Sequence, residues 1–168
     1  YDNVNTILDK ISFKVDKPIQ IAIVGKSGAG KTSLVNLIPR FYDICNGKIL
    51  INGIDYREYK LEELRNKIAY VFQEPVIFEK TIMENIKFGN KEDISEEKIK
   101  EVCRKIGLDS KIRQLPNDYD TVINSKTDLL SYGEKQLLSF ARAILKDADL
   151  LILDEVTSNL DLEFEESI

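Results

Sequence analysis

Gly25-Lys26-Ser27-Gly28-Ala29-Gly30-Lys31-Thr32 follows the apolar run Ile19-Gln20-Ile21-Ala22-Ile23-Val24 and meets the pattern G-x-x-x-x-G-K-[ST] at every fixed position. Glycines lack Cβ atoms, so this backbone can curl around phosphate groups with its N–H groups turned inward. A helix predicted to start near Lys31, with Thr32 and Ser33 in its first turn, adds its positive end. Lys31 can then reach the β- and γ-phosphates as a point charge, and the Thr32 hydroxyl is placed to ligate Mg²⁺. These residues predict a nucleoside-triphosphate cradle. A glycine-rich strand-to-helix turn that binds nothing is the alternative.

A second group lies near the end of the chain. Leu150-Leu151-Ile152-Leu153-Asp154-Glu155 reads as a buried strand ending in two carboxylates. Ligands of open α/β sheets sit at such strand ends. Asp154 at the tip can hold Mg²⁺ through water, and Glu155 would then stand near the γ-phosphate, where a carboxylate can orient or deprotonate an attacking water. The plainer reading is two acids capping a strand.

The elements that must carry these residues alternate between strand-like and helical patterns, which predicts an α/β chain. Residues 12–15 and 19–24 read as strands joined by a turn at Asp16-Lys17-Pro18. Leu34, Val35, Leu37 and Ile38 give the next helix a buried side, and Pro39 should end it. Residues 48–51, Asn52-Gly53 and Ile54 form a strand, a hairpin-type turn and a second strand, and residues 68–72 form another. From Thr81 to about Arg113 the pattern is helical. Ile99, Val102, Cys103 and Ile106 fall on one face at i, i+3, i+4 and i+7, among charged residues that read as a solvated surface. No internal repeat or low-complexity linker interrupts the chain.

Composition limits what such a chain can do. At 168 residues with 43% hydrophobic content it can build one core. Its 24 basic and 29 acidic residues leave a net charge of −5, with no basic run, so nucleic acid is not an expected partner. There is no histidine, and the two cysteines, Cys45 and Cys103, are far apart, which excludes zinc-ligand spacing. Both read as packing residues, Cys45 partly buried and Cys103 on an apolar helix face. No apolar stretch reaches the length of a membrane span and no signal peptide opens the chain, so a membrane role would have to come through a partner. The first residue, Tyr1, is not an initiator methionine, as expected of a piece of something longer.

Together these residues resemble the nucleotide-binding domain of ATP-binding-cassette (ABC) transporters of the exporter type, and the similarity runs over the whole chain. Gln73 follows its strand as the family's Q-loop glutamine does, and the resemblance implies contact with Mg²⁺ or the attacking water and a sensing role toward the transmembrane domain. Tyr1 stands where the family's A-loop aromatic stacks on adenine, unless it is simply an exposed terminal tyrosine. Ser158-Asn159-Leu160-Asp161 resembles the D-loop, with Asp161 reaching across a dimer interface. Residues 78–86 and 115–122 are similar to exporter landmarks of the helical subdomain.

The signature motif, usually Leu-Ser-Gly-Gly-Gln, is here Leu130-Ser131-Tyr132-Gly133-Glu134. In the family it opens a helix that binds the γ-phosphate held by the opposite subunit, which implies that role for Ser131 and Gly133. Tyr132 would crowd this approach and Glu134 would bring a charge toward it. Alternatively Ser131-x-x-Glu134 is a capping box that stabilises the helix start. Residues 124–127 lack the exporter X-loop glutamate. The family's switch histidine lies on a strand after the D-loop, which this sequence does not contain. The resemblance therefore implies a P-loop NTPase with a RecA-like core, an antiparallel β subdomain and an inserted α-helical subdomain, the C-terminal part of the core missing and the 168 residues alone poorly active. The ATPase core with its β subdomain is placed at 1–75 and 140–168, and the helical subdomain at 76–139.

What the resemblance implies is an ATPase motor for export, with ATP and Mg²⁺ as cofactors and a second nucleotide-binding domain and the transmembrane domains as partners. It would work as a homo- or heterodimer at the cytoplasmic face of the cell membrane. Lys31, Gln73 and Glu155 would carry catalysis, and Thr32, Gln73 and Asp154 the metal. A non-transport ABC ATPase acting on nucleic acid, and a regulatory half with weak turnover, remain the alternatives.

Overall fold

A computed structural model describes residues 7–90, 94–124 and 129–154. The chain divides into two compact units, residues 1–64 and 65–168.

In the first unit the glycine-rich loop leads into helix α1 (Lys31–Leu37), which stops before Pro39 as its missing N–H requires. No residue of α1 is fully buried, so the buried side expected of Leu34, Val35 and Leu37 is only half-covered. Strands β1 (Leu50–Ile51) and β2 (Ile54–Asp55) pair antiparallel around Asn52 and Gly53. Both turn residues hold positive φ, 51° and 82°, the geometry that a two-residue hairpin turn needs. A 3-10 turn at Tyr56–Glu58 follows, in which the buried Tyr56 accepts the Ile44 N–H through its hydroxyl at 3.1 Å.

The two strands expected at 12–15 and 19–24 do not form. These residues are irregular, and Phe13, Ile19 and Val24 are 62%, 54% and 91% exposed. Apolar alternation supplies a face, but a strand also needs a neighbour to take its backbone N–H and C=O groups. No strand among the described residues pairs with this segment.

Helix α2 spans Leu61–Asn66. In the second unit β3 (Ile68–Val71) pairs parallel with β6 (Leu150–Leu153), Ile68 opposite Leu150 and Val71 opposite Leu153. Ala69 and Val71 of β3 pack with Phe140 and Ala143 of α6 (Tyr132–Leu145). Lys146, just past α6, donates to the carbonyls of Arg65 and Ile68, both at 2.7 Å, and so ties the helix end to the start of β3. Strand β6 is not buried throughout as expected: Leu150 and Leu151 are exposed, since among the described residues β3 is its sole strand neighbour.

The helical stretch expected from 81 to 113 is three helices, α3 (Ile82–Lys87), α4 (Glu96–Lys105) and α5 (Asp109–Ile112). Gly89 and Gly107, at φ 82° and 75°, sit at the two breaks, where left-handed backbone ends a helix. Ser95 caps α4 by accepting the Lys98 N–H. The predicted face of α4 is the buried one: Ile99, Val102, Cys103 and Ile106 pack against Ile82 and Ile86 of α3, Ile112 of α5 and Leu138 and Ala141 of α6. A short pair, β4 (Lys80–Thr81) with β5 (Val122–Ile123), closes this core. Cys103 is buried and burial pushes its thiol up to about 11, while Cys45 is exposed, contrary to the partial burial expected of it.

Candidate functional site

In the first unit the loop 25–32 is shaped by its glycines. Gly28 and Gly30 hold φ of 77° and 88°, and a Cβ on Gly30 would approach Ile7 Cγ2 and Leu8 Cδ2 at 3.1 Å. Ala29 N–H donates to Lys26 O at 3.1 Å and Leu34 N–H to Gly30 O at 2.9 Å, which join the loop to the start of α1. The Lys31 ammonium folds back over the loop and donates to Gly25 O at 3.1 Å and Lys26 O at 3.2 Å. Thr32 is exposed and Ser33 half-exposed in the first turn of α1.

In the second unit the strand pair β3 and β6 carries Gln73 and Asp154 at its C-terminal end. Asp154 N–H donates to Val71 O at 3.1 Å, so Asp154 still belongs to the ladder, and the residue is 8% exposed. The Tyr70 hydroxyl donates to Asp154 Oδ2 at 3.3 Å and orients it. The Gln73 side-chain amide oxygen and the Asp154 carboxylate are oxygen ligands of the kind a hard cation takes. Among the described residues no cluster of three His, Cys, Asp or Glu side chains is grouped for a metal.

The signature residues form the capping box. Ser131 Oγ accepts the Glu134 N–H at 3.2 Å, and Glu134 Oε2 accepts the Ser131 N–H at 2.6 Å. The other carboxylate oxygen lies 3.7 Å from Lys111 Nζ on α5, so the charge of Glu134 is held within its own unit. Tyr132 turns toward its own chain and donates its hydroxyl to the Gln73 carbonyl.

Sequence reasoning missed the residues that hold the segment after β3. Gln136, buried on α6, donates Nε2 to Gln73 O at 2.7 Å and Phe72 O at 3.3 Å. Arg142 donates to Asn85 O at 2.9 Å and Val76 O at 3.2 Å, stacks near the Phe78 ring, and is pushed down to about 10 by burial. Asn85, fully buried, accepts the Phe78 N–H and donates to the carbonyls of Phe78, Lys80 and Thr81. The available signal was polar side chains on helix faces that otherwise read as apolar. Tyr1, Glu155 and Asp161 lie outside the described residues.

A family model described as "ABC transporter" matches residues 8–158. An ATP-dependent lipid A-core flippase of Coxiella burnetii is 45% identical over 100% of this chain and 29% of its own length. A mitochondrial iron–sulfur clusters transporter, ATM1, of Candida glabrata is 42% identical over 100% of this chain and 23% of its own length. A solved bacterial Atm1-family ABC exporter with ATP bound superposes with a TM-score of 0.78 at 36% identity, over 85% of this chain and 25% of that one. The chain thus spans about a quarter of the length of the relatives it matches. Among the described residues no helix is long and apolar enough to cross a membrane.

Proposed function

The chain belongs to the ABC transporter family, a P-loop NTPase fold, and from that membership we propose that it is the ATPase motor of an exporter. The observation that carries the reading is the loop 25–32, whose Gly28 and Gly30 take left-handed backbone while Lys31 covers the loop carbonyls with its ammonium. Phosphate oxygens are better acceptors for that ammonium than two carbonyls, because a charge-assisted bond to an anion is the stronger one. The backbone N–H groups of residues 25–31 would take the β- and γ-phosphates, with Ser33 beside them, and Tyr1 would stack on the adenine.

Thr32, Gln73 and Asp154 would hold Mg²⁺, a set of oxygen donors that fits it. The ion would neutralise phosphate charge during transfer. Glu155 would accept a proton from the attacking water, and Gln73 would orient that water. Ser131, Gly133 and Asp161 would serve the nucleotide of a second nucleotide-binding domain in a head-to-tail dimer. The core is placed at residues 1–75 and 140–168 and the helical subdomain at 76–139.

The flippase and the iron–sulfur transporter share this segment but are named for different cargoes, which supports a motor and not a cargo-selecting part. The motor would lie at the cytoplasmic face of the membrane, attached to transmembrane domains. Replacing Glu155 by Gln in the polypeptide that carries this chain tests the reading. Single-turnover hydrolysis should fall by about 10²- to 10⁴-fold with ATP binding retained. Hydrolysis at the parent rate would remove Glu155 from the chemistry.

A further inference from the structure

The signature helix of this chain holds the segment that follows β3 through side-chain hydrogen bonds. Two donors converge on one acceptor: the Tyr132 hydroxyl and Gln136 Nε2 both donate to the Gln73 carbonyl, the second at 2.7 Å. Gln136 also reaches Phe72 O at 3.3 Å, and Arg142, further along α6, holds Val76 O and Asn85 O. The carbonyls of 72, 73, 76 and 85 thus hang from one helix. Gln136 is 1% exposed and its Oε1 has no donor among the described residues, so it is the two carbonyls that fix its amide. A glycine at 132, the residue usual in this motif, has no side chain with which to make the tyrosine bond.

We infer that Tyr132 is a positioning residue for Gln73: its hydroxyl, together with the Gln136 amide, fixes the Gln73 backbone to the signature helix, so that helix and glutamine move as one piece. This rests on the proposed role of Gln73 at the metal and the attacking water. The departure at position 132 thereby has a task inside its own subunit. A carbonyl held by two donors cannot rotate without breaking both, so the Gln73 side chain starts from a defined backbone position. Loss of one donor should loosen that position without altering the phosphate cradle.

The test is a double-mutant cycle of Tyr132→Phe and Gln73→Ala in the full polypeptide, read as kcat and KM for MgATP. Tyr132→Phe should lower kcat by about 3- to 10-fold, the range of one lost hydrogen bond, with KM unchanged within twofold. The double variant should match Gln73→Ala alone, because a positioning residue has nothing left to position. The backbone amides of Phe72, Gln73, Glu74 and Val76 should exchange hydrogen faster in Tyr132→Phe than in the parent. Should Tyr132→Phe not fold, Gln136→Met removes the other donor and should show the same loss that does not multiply. If Gln73→Ala lowers kcat while Tyr132→Phe does not, or if the two losses multiply, the inference is wrong and the Gln73 role stands. If Gln73→Ala leaves kcat unchanged, both fall.

Discussion

Glu134 stands where the signature motif usually has glutamine, and its substitution separates two effects that the structure assigns to different atoms. Oε2 caps α6 through the Ser131 N–H, and Oε1 faces Lys111 Nζ at 3.7 Å. In the proposed head-to-tail dimer, a carboxylate placed ~8 Å from the partner's phosphate would cost about 2 kcal/mol at an effective dielectric of ~20. Placed ~10 Å from that phosphate, the Lys111 ammonium would offset about 1.7 kcal/mol of it. The remainder of about 0.4 kcal/mol is roughly a twofold change in rate. Glu134→Gln, which keeps an acceptor for Ser131, should therefore alter ATP turnover by no more than about two- to threefold. Lys111→Gln uncovers the carboxylate and should slow turnover by up to about 15-fold at low salt, less as salt screens it. Glu134→Ala loses the cap and should lower stability by about 0.5–2 kcal/mol, or about 2–4 °C in Tm per kcal/mol. Turnover by phosphate release and melting by circular dichroism read the two effects. A tenfold acceleration in Glu134→Gln would show that the charge is not neutralised and would refute this account of the motif.

The loop makes a graded prediction: Gly28→Ala meets no atom within 4 Å and should cost about 1–2 kcal/mol in left-handed strain alone, while Gly30→Ala adds contacts at 3.1 Å and should cost more. Equal losses in chemical denaturation would contradict the difference between them. Asp109 accepts from Arg113 at 2.8 Å and from the buried Tyr119 hydroxyl at 2.7 Å, and the Arg113 bond holds its carboxyl below the usual carboxylate range. Its folded pKa lies below its unfolded one, so its stabilisation is present above about pH 4 and is lost as pH falls through the folded value. Asp109→Asn should flatten the fall of Tm with acid below about pH 4, and parallel profiles would contradict this.

Where local chemistry decides an element, the residues announced it. Asn52-Gly53 named its hairpin, Ser131-x-x-Glu134 its capping box, and the spacing from Ile99 to Ile106 its buried face, because turn, cap and helix stripe are set within a few residues. The segment 19–24 has the apolar pattern of a strand, yet pattern does not supply a ladder partner, and none is present among the described residues. The breaks at Gly89 and Gly107 were visible as glycines but not as helix ends, since charged and apolar residues continue on both sides. The bonds from α6 to Gln73 could not be read at all: Tyr132 and Gln73 are 59 positions apart, and only the packing of α6 against β3 brings them together. The loop 25–32 was plain because its glycines and lysine are adjacent, whereas the placement of Gln73 and Asp154 at one end of a strand pair depends on β3 and β6 meeting in parallel.

Residues 25–32 are proposed to bind the phosphates of ATP through their backbone and Lys31. The most direct measurement is the thermal melt of the full polypeptide with and without MgATP, in the parent and in Lys31→Ala. At 100-fold excess over its dissociation constant MgATP should stabilise the parent by about 2.7 kcal/mol, and Lys31→Ala should lose most of that gain. Coincident parent melts with and without MgATP, or a Lys31→Ala variant stabilised as fully as the parent, would contradict the assignment.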